Sequence, residues 1–386
     1  MVSIAAPPDD HDDEPVHTTL KRNGATMNLS EVRSGVREPM TTSRIDARSR
    51  HGDPLGDLAG ATRILSEASA ESGWQAREVR SVDVVGERPD SRKTLRFRVI
   101  GKRGGTPFET YWYGMQYRGG ADGERMLPTL RFLRSAAAPE VRVPMLIGYS
   151  REARLLLMTG IEGRPLSSTL EDPIESRVAA SLKRLGRALA SFHSIRTPGP
   201  SARSADRPSF ERWDAQSEVQ CLDDVERGLS TGLDPRLRER LQEGCAALRT
   251  DLAQDAGVAR APSVIHRQLH PGHVIFGADG IGLVDLDDVS FGEPEYDLAS
   301  LIAHIILADL KRGVSVRLAP ARADALRAGY LGGGVVRPNR LAAYTSAALL
   351  RLATTEGTKN GGIGAPDWTR LTAVLIEEAM PEGVRL

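Results

Sequence analysis

Two cysteines in 386 residues, Cys221 and Cys245, are too few for a disulfide framework and read as reduced, partly buried thiols. Neither sign of charge is in excess. The 51 basic residues match 51 acidic ones, so no global field draws the chain to nucleic acid or to an anionic membrane. No apolar run approaches the roughly 18 residues needed to span a bilayer. The opening MVSIAAPPDDHDDEP lacks the basic stretch and apolar core of a secretory signal. A soluble, cytoplasmic protein is expected, with no nucleic-acid or membrane partner. No internal repeat is apparent.

What is present divides into three stretches. Residues 1–55 gather Pro7, Pro8, Asp9, Asp10, Asp12, Asp13 and Glu14, then Ser, Thr, Arg and Gly without apolar periodicity. Such a segment buries too little surface to offset its ordering entropy and is expected to be a disordered tail, with docking of a partner as its functional alternative. Residues 56–160 carry strand signals: SVDVVGERPDSRKTLRFRVIG reads as two strands around a turn, with Thr94, Phe97 and Val99 supplying β-branched and aromatic content. Residues 161–386 read as helical. Val178, Leu182, Leu185, Leu189 and Phe192 recur at intervals of four and three, and further helices are expected over 341–353 and 367–379. RTPGPSARSADRP marks a long loop between helices.

The most specific segment is residues 264–288, VIHRQLHPGHVIFGADGIGLVDLDD. It resembles the catalytic loop of the aminoglycoside phosphotransferase and choline kinase-type family, H-G-D-L-H-P-x-N, an apolar strand, then I-D-x-D. His266, Leu269, His270, Pro271, Gly272 and Asp285 keep that frame. RVPMLIGYSREARLLLMTGIEGRPL and FGEPEYDLASLIAHI are also similar to family segments, so the likeness spans about residues 80–380. The resemblance implies an α+β, bilobal, protein kinase-like fold, with a small β-rich N-lobe and a larger, mainly helical C-lobe. It implies ATP and magnesium as cofactors, and it places Met158 and Ile161 at the hinge where an adenine ring would meet the backbone. Asp297 would anchor the large lobe.

Three positions depart from the family pattern. Gln268 stands where an aspartate would orient the acceptor hydroxyl and take its proton; an amide can hold a hydroxyl but has no carboxylate for the proton. A lost general base typically slows transfer by about 10²–10⁴. His273 stands where an asparagine would hold the metal, and imidazole suits zinc or copper better than magnesium. Met115, in YGMQYR, stands where a phosphate-binding lysine would be, leaving Glu124 without its expected partner. Lys93 or Arg96, on the preceding strand, could supply a substitute charge.

Asp285 keeps its place as a metal-binding carboxylate, with His273 as its companion ligand. The expected function is therefore that of a catalytically impaired relative, a pseudokinase. Its cleft would bind a nucleotide, small molecule or peptide as accessory to a partner enzyme. An active ATP-dependent O-phosphotransferase with a rearranged site is the alternative. Three further readings stay open. His266, His270 and His273 form either a metal cluster or structural loop histidines. Asp223, Asp224 and Glu226, with Glu377 and Glu378, form either an acceptor pocket for cations or a solvated face. Gly86–Ser91 is expected to be a lid over the nucleotide.

Overall fold

The structure, a computed structural model, describes residues 19–22, 25–28, 43–44, 55–88, 92–118, 123–196, 208, 210–230, 232–254, 263–312, 318–359 and 366–380. Most of the expected tail lies outside these. Within it β1 (Thr19–Arg22) and β2 (Ala25–Asn28) pair with each other, and β3 (Ser43–Arg44) pairs with the edge of the main sheet. Of the expected lid, residues 89–91 lie outside the described residues, and the residues before them belong to a strand. Much of the RTPGPSARSADRP loop also lies outside.

α1 (Leu58–Ser69) starts at Asp57, whose carboxylate accepts from the Gly60 amide at 2.7 Å. Such a cap is worth about 1 kcal/mol. Three long antiparallel strands follow, β4 (Trp74–Arg88), β5 (Arg92–Arg103) and β6 (Thr106–Tyr117). After α2 (Met126–Ala136) and β7 (Val141–Arg142) come β8 (Leu146–Ser150) and β9 (Leu155–Thr159), and the sheet order is β3-β4-β5-β6-β9-β8.

Alternation along β5 decides what reaches the cleft, because successive side chains leave opposite faces of a strand. Leu95, Phe97 and Val99 are fully buried in one core with Ile64 and Leu65 of α1 and with Trp112. Lys93 shares their face. Arg92, Thr94 and Arg96 take the other, opposite Tyr117, Met115 and Tyr113 of β6. Met115 and Tyr117 belong to the second, larger core.

That larger core lies among the helices. After β10 (Arg164–Pro165) and α3 (Leu166–Thr169), α4 (Glu175–His193) buries the whole stripe from Val178 to Phe192. β11 (Glu211–Arg212), α5 (Ala215–Ser230) and α6 (Pro235–Gln254) follow. The segment 263–292 forms four short strands, β12 (Ser263–Ile265), β13 (Val274–Gly277), β14 (Gly280–Leu283) and β15 (Ser290–Gly292). They join two small sheets, β10-β13-β14-β7 and β11-β15-β12. The chain then runs through α7 (Pro294–Lys311), α8 (Leu318–Leu331), α9 (Pro338–Lys359) and α10 (Pro366–Ala379). Gly332–Gly334 joins α8 to α9 as a connector. The result is a β-rich lobe beside a mainly helical one, the kinase-like architecture that the motifs imply. Among the described residues no helix is long and apolar enough to cross a membrane.

Candidate functional site

The loop after β12 is held by Asp297 in the first turn of α7. This fully buried carboxylate accepts from the His266 amide at 2.7 Å, the Arg267 amide at 2.9 Å and His193 Nε2 at 3.0 Å. His193 is itself buried and bonded through Nδ1 to the Tyr330 hydroxyl at 3.0 Å, a structural role. The Gln268 amide donates to the His266 carbonyl at 2.9 Å, closing a three-residue γ-turn with Arg267 at φ 69°. A non-glycine residue held at positive φ stores about 1–3 kcal/mol of strain. Around the next turn, His270 Nδ1 accepts from the Gly272 amide at 3.0 Å. A Cβ on Gly272 would lie 2.8 Å from His270 Cε1, so a side chain there would crowd the imidazole that caps the turn. Ser300 on α7 donates to the Leu269 carbonyl at 2.8 Å.

His273 leaves this loop pointing at Asp285. Its Nδ1 donates to the Gln268 carbonyl at 2.9 Å, and its Nε2 lies 3.3 Å from Asp285 Oδ2. Burial, reinforced by His270 and His266, pushes its pKa down to about 3. The ring is therefore neutral at physiological pH with its proton on Nδ1, since a carbonyl can only accept. Asp285 stands in the left-handed region, φ 61° and ψ 59°, which turns its carboxylate into the cleft.

Across the cleft the expected substitute cation is a different residue. Arg92, at the start of β5, donates through Nη2 to Asp285 Oδ1 at 2.5 Å and through Nη1 to Asp287 Oδ2. The same Nη1 lies 3.3 Å from Met115 Sδ, and the Tyr117 hydroxyl donates to Asp287 at 3.3 Å. Arg92 is 7% exposed. Burial works against its charge, but Asp287 and Asp285 outweigh it and raise its pKa above the ordinary value. Burial raises the Asp287 pKa above the ordinary carboxylate value, against the pull of Arg92 and with Asp285 and Asp288 adding to the rise.

The sequence-based expectations for the substitute charge are corrected by the alternation of β5. Lys93 projects from the face that covers the α1 core, away from Met115. Arg96 has the right face but is held by Asp83 at 3.1 Å and lies over the Tyr111 ring at 5.1 Å. Glu124, just before α2, pairs with Arg151 at 2.7 Å on the surface instead of turning to Met115. At the hinge, Met158 is buried in β9, and Ile161 packs against Gly282. The amides of Thr159 and Gly160 between them already donate to the Met145 and Tyr111 carbonyls, at 2.9 and 3.4 Å.

Arg92 and Asp287 were not among the residues picked from sequence. The signal for Arg92 was its spacing, two residues before the cross-strand neighbour of Met115; the signal for Asp287 was its place as the second acid of the D-L-D run.

The donor set does not fit a magnesium ion. Magnesium takes oxygen ligands in near-octahedral geometry. Here one Asp285 oxygen faces an imidazole, the other faces Arg92, and Asp287 is bound to the same guanidinium. Among the described residues no group of three or more His, Cys, Asp or Glu is placed to hold a metal, so the three loop histidines form no cluster site. The acidic runs are engaged by neighbouring arginines, with Asp223, Asp224 and Glu377 exposed: Asp223 and Glu226 pair with Arg249 at 2.6 Å, Asp224 with Arg227 at 3.2 Å, and Glu377 with Arg240 at 3.3 Å. Gln268 instead lines a separate cavity beneath the loop.

Comparison with known proteins gives this geometry its setting. No curated protein matches the chain by sequence. Among solved structures, the GDP and kanamycin complex of APH(2")-IIia superposes with a TM-score of 0.55 at 16% identity, covering 83% of this chain and 97% of its own. A thermostable mutant of the aminoglycoside phosphotransferase APH(4)-Ia gives 0.52 at 15% identity, covering 80% and 97%. A choline kinase from Cryptosporidium parvum Iowa II gives 0.51 at 11%, covering 80% and 88%. These likenesses speak to the fold. A sequence model of the phosphotransferase enzyme family matches residues 93–338, well over half the chain and all of the loop described above. By that match, the chain belongs to the phosphotransferase enzyme family.

Proposed function

We propose that this chain is a catalytically impaired member of its family, a pseudokinase that acts by binding a ligand as accessory to a partner enzyme. One observation carries the reading. Arg92 bridges Asp285 and Asp287, so a side chain of the protein supplies the positive charge that a metal ion would otherwise bring to these carboxylates. Phosphoryl transfer depends on charge cancelled at the phosphates and on an oriented nucleophile. A guanidinium already bonded to two carboxylates has little left to offer a phosphate. Gln268 lacks the carboxylate that would accept the hydroxyl proton, and Met115 brings no charge. The protein's own residues can hold and orient a ligand; the transfer step lacks its base and its metal site.

Calorimetric titration of ATP, with and without magnesium, tests this. The expected result is that magnesium leaves any ATP affinity unchanged and that no γ-phosphate is released or transferred. Magnesium-dependent binding accompanied by phosphate transfer would sink the proposal.

The second reading, an active O-phosphotransferase with ATP as donor, is favoured by one feature. The Asp297 clamp keeps the loop in place and sets Gln268 against a cavity where an acceptor would sit. Under this reading Arg92 must leave its carboxylates when nucleotide arrives, and Asp285→Ala abolishes turnover. Under the first reading Asp285→Ala leaves partner affinity intact.

A further inference from the structure

Beneath the catalytic loop lies a cavity of about 1090 Å³. Pockets for small ligands run from roughly 300 to 1,000 Å³, so there is room for a sizeable metabolite or a short peptide segment. Gln268, His270 and Gly272 form one wall, and α3, α7 and α9 contribute the others. The charge on these walls is uneven. Arg267, Lys311, Arg312 and Arg351 line the space, against the carboxylates of Glu171 and Glu356.

The counter-ions sit behind the wall. Arg351 pairs with Glu218, which is fully buried, and Arg312 with Asp309 at 2.6 Å, whose side chain is 1% exposed; neither acid lines the cavity. Glu356 is held by Lys311 and is almost covered, while Glu171 is exposed. Arg267 makes long contacts, 3.5 Å to Glu211 and 3.7 Å to Asp288. Basic residues on the lining thus outnumber acidic ones, four to two, while Glu218 and Asp309 stand behind it, and low-dielectric walls focus such a field.

The aromatic lining adds a second element. Arg267 lies over the Trp213 ring at 4.1 Å and Arg351 over Tyr296 at 5.2 Å. Stacking on Trp213 steadies the Arg267 guanidinium plane, whose N–H edge has the geometry that recognises a carboxylate. A polycation entering here would meet four basic residues against two carboxylates.

We infer that this cavity takes a ligand that carries carboxylates, from an anionic metabolite or an acidic peptide segment, and rejects polycations. The inference rests on reading the chain as a binding protein and names the class of its ligand. Titrations with citrate, triglutamate and kanamycin test it, each without nucleotide or magnesium. At least one anion should bind, more weakly as salt rises, and kanamycin should not. Citrate alone would indicate a metabolite, and triglutamate a peptide. Lys311→Gln should weaken the anion about tenfold, whereas Glu171→Gln should tighten it about threefold. These opposite signs distinguish charge recognition from a damaged fold. Kanamycin binding, no binding of either anion, or anion binding indifferent to both substitutions overturns the inference. ATP titrated into the same samples keeps the two proposals apart: metal-independent ATP binding without anion binding removes the ligand class alone.

Discussion

The two ends of the catalytic loop have been treated differently. Around Asp297 every bond that positions the loop is present: two backbone amides and a buried histidine converge on one carboxylate. Around Asp285 the partners are an arginine and an imidazole, both facing the carboxylate. The contrast separates two requirements that an active enzyme meets together. Asp297 serves the backbone, so it is needed for the fold whatever the cleft does. Asp285 serves the space between the lobes, so its neighbours can differ without disturbing the loop that Asp297 holds.

The largest effect is expected at the clamp. Asp297→Ala strands two buried amides and His193, and should destabilise the protein by on the order of 5 kcal/mol, read from urea denaturation. Next, Arg92→Met leaves Asp285 and Asp287 facing each other uncompensated, at a loss of about 3 kcal/mol near neutral pH. The same variant sharpens the comparison. Magnesium or calcium should raise its melting temperature and leave that of the unaltered protein unchanged, because the vacated position then resembles a cation site. An identical response from both proteins would mean that Arg92 does not stand in for a metal.

A smaller effect is expected at His273, whose folded pKa of about 3 lies below the ordinary 6.5 of a histidine. Between these values the unfolded chain binds the extra proton and the folded one does not, so stability falls as pH drops below about 6.5. From pH 7 to 5 this amounts to roughly 2 kcal/mol, and His273→Asn should remove that part of the slope. Smallest of all, Asp223→Asn should change stability by less than about 0.5 kcal/mol, as for other exposed ion pairs. A larger loss, or a loss of ligand binding, would return the acidic run to a functional role.

Much of this was legible in the sequence because it is local. The spacing from Val178 to Phe192 set α4, and the run from His266 to Asp285 set the loop and its two replaced positions. Glu293 through Ala299 located the start of α7. Which cation meets the two acids depends on which face of β5 Arg92, Lys93 and Arg96 each take, and on how β5 registers against β6, and a local run shows neither. One residue along a strand reverses the face, so Arg92 and Lys93 differ entirely in what they touch. The acidic runs stay open in the sequence for another reason: charge density along the chain does not say which side of a helix meets solvent. The cavity cations were beyond reach, since Arg267, Lys311 and Arg351 converge only after three separate segments have packed.

The contact between Arg92 and the two acids also has a mechanical meaning. It joins a strand of the small lobe to the turn that follows β14 in the large one, and so acts as a brace across the cleft. Lobed enzymes commonly stay open until a ligand draws them shut. A ligand moves such an equilibrium only by the difference in its affinity for the two states. With the brace already in place, the lobes stand together before anything binds. A nucleotide would then find little closure left to drive, and a partner would meet the same rigid surface whether the cleft is empty or filled.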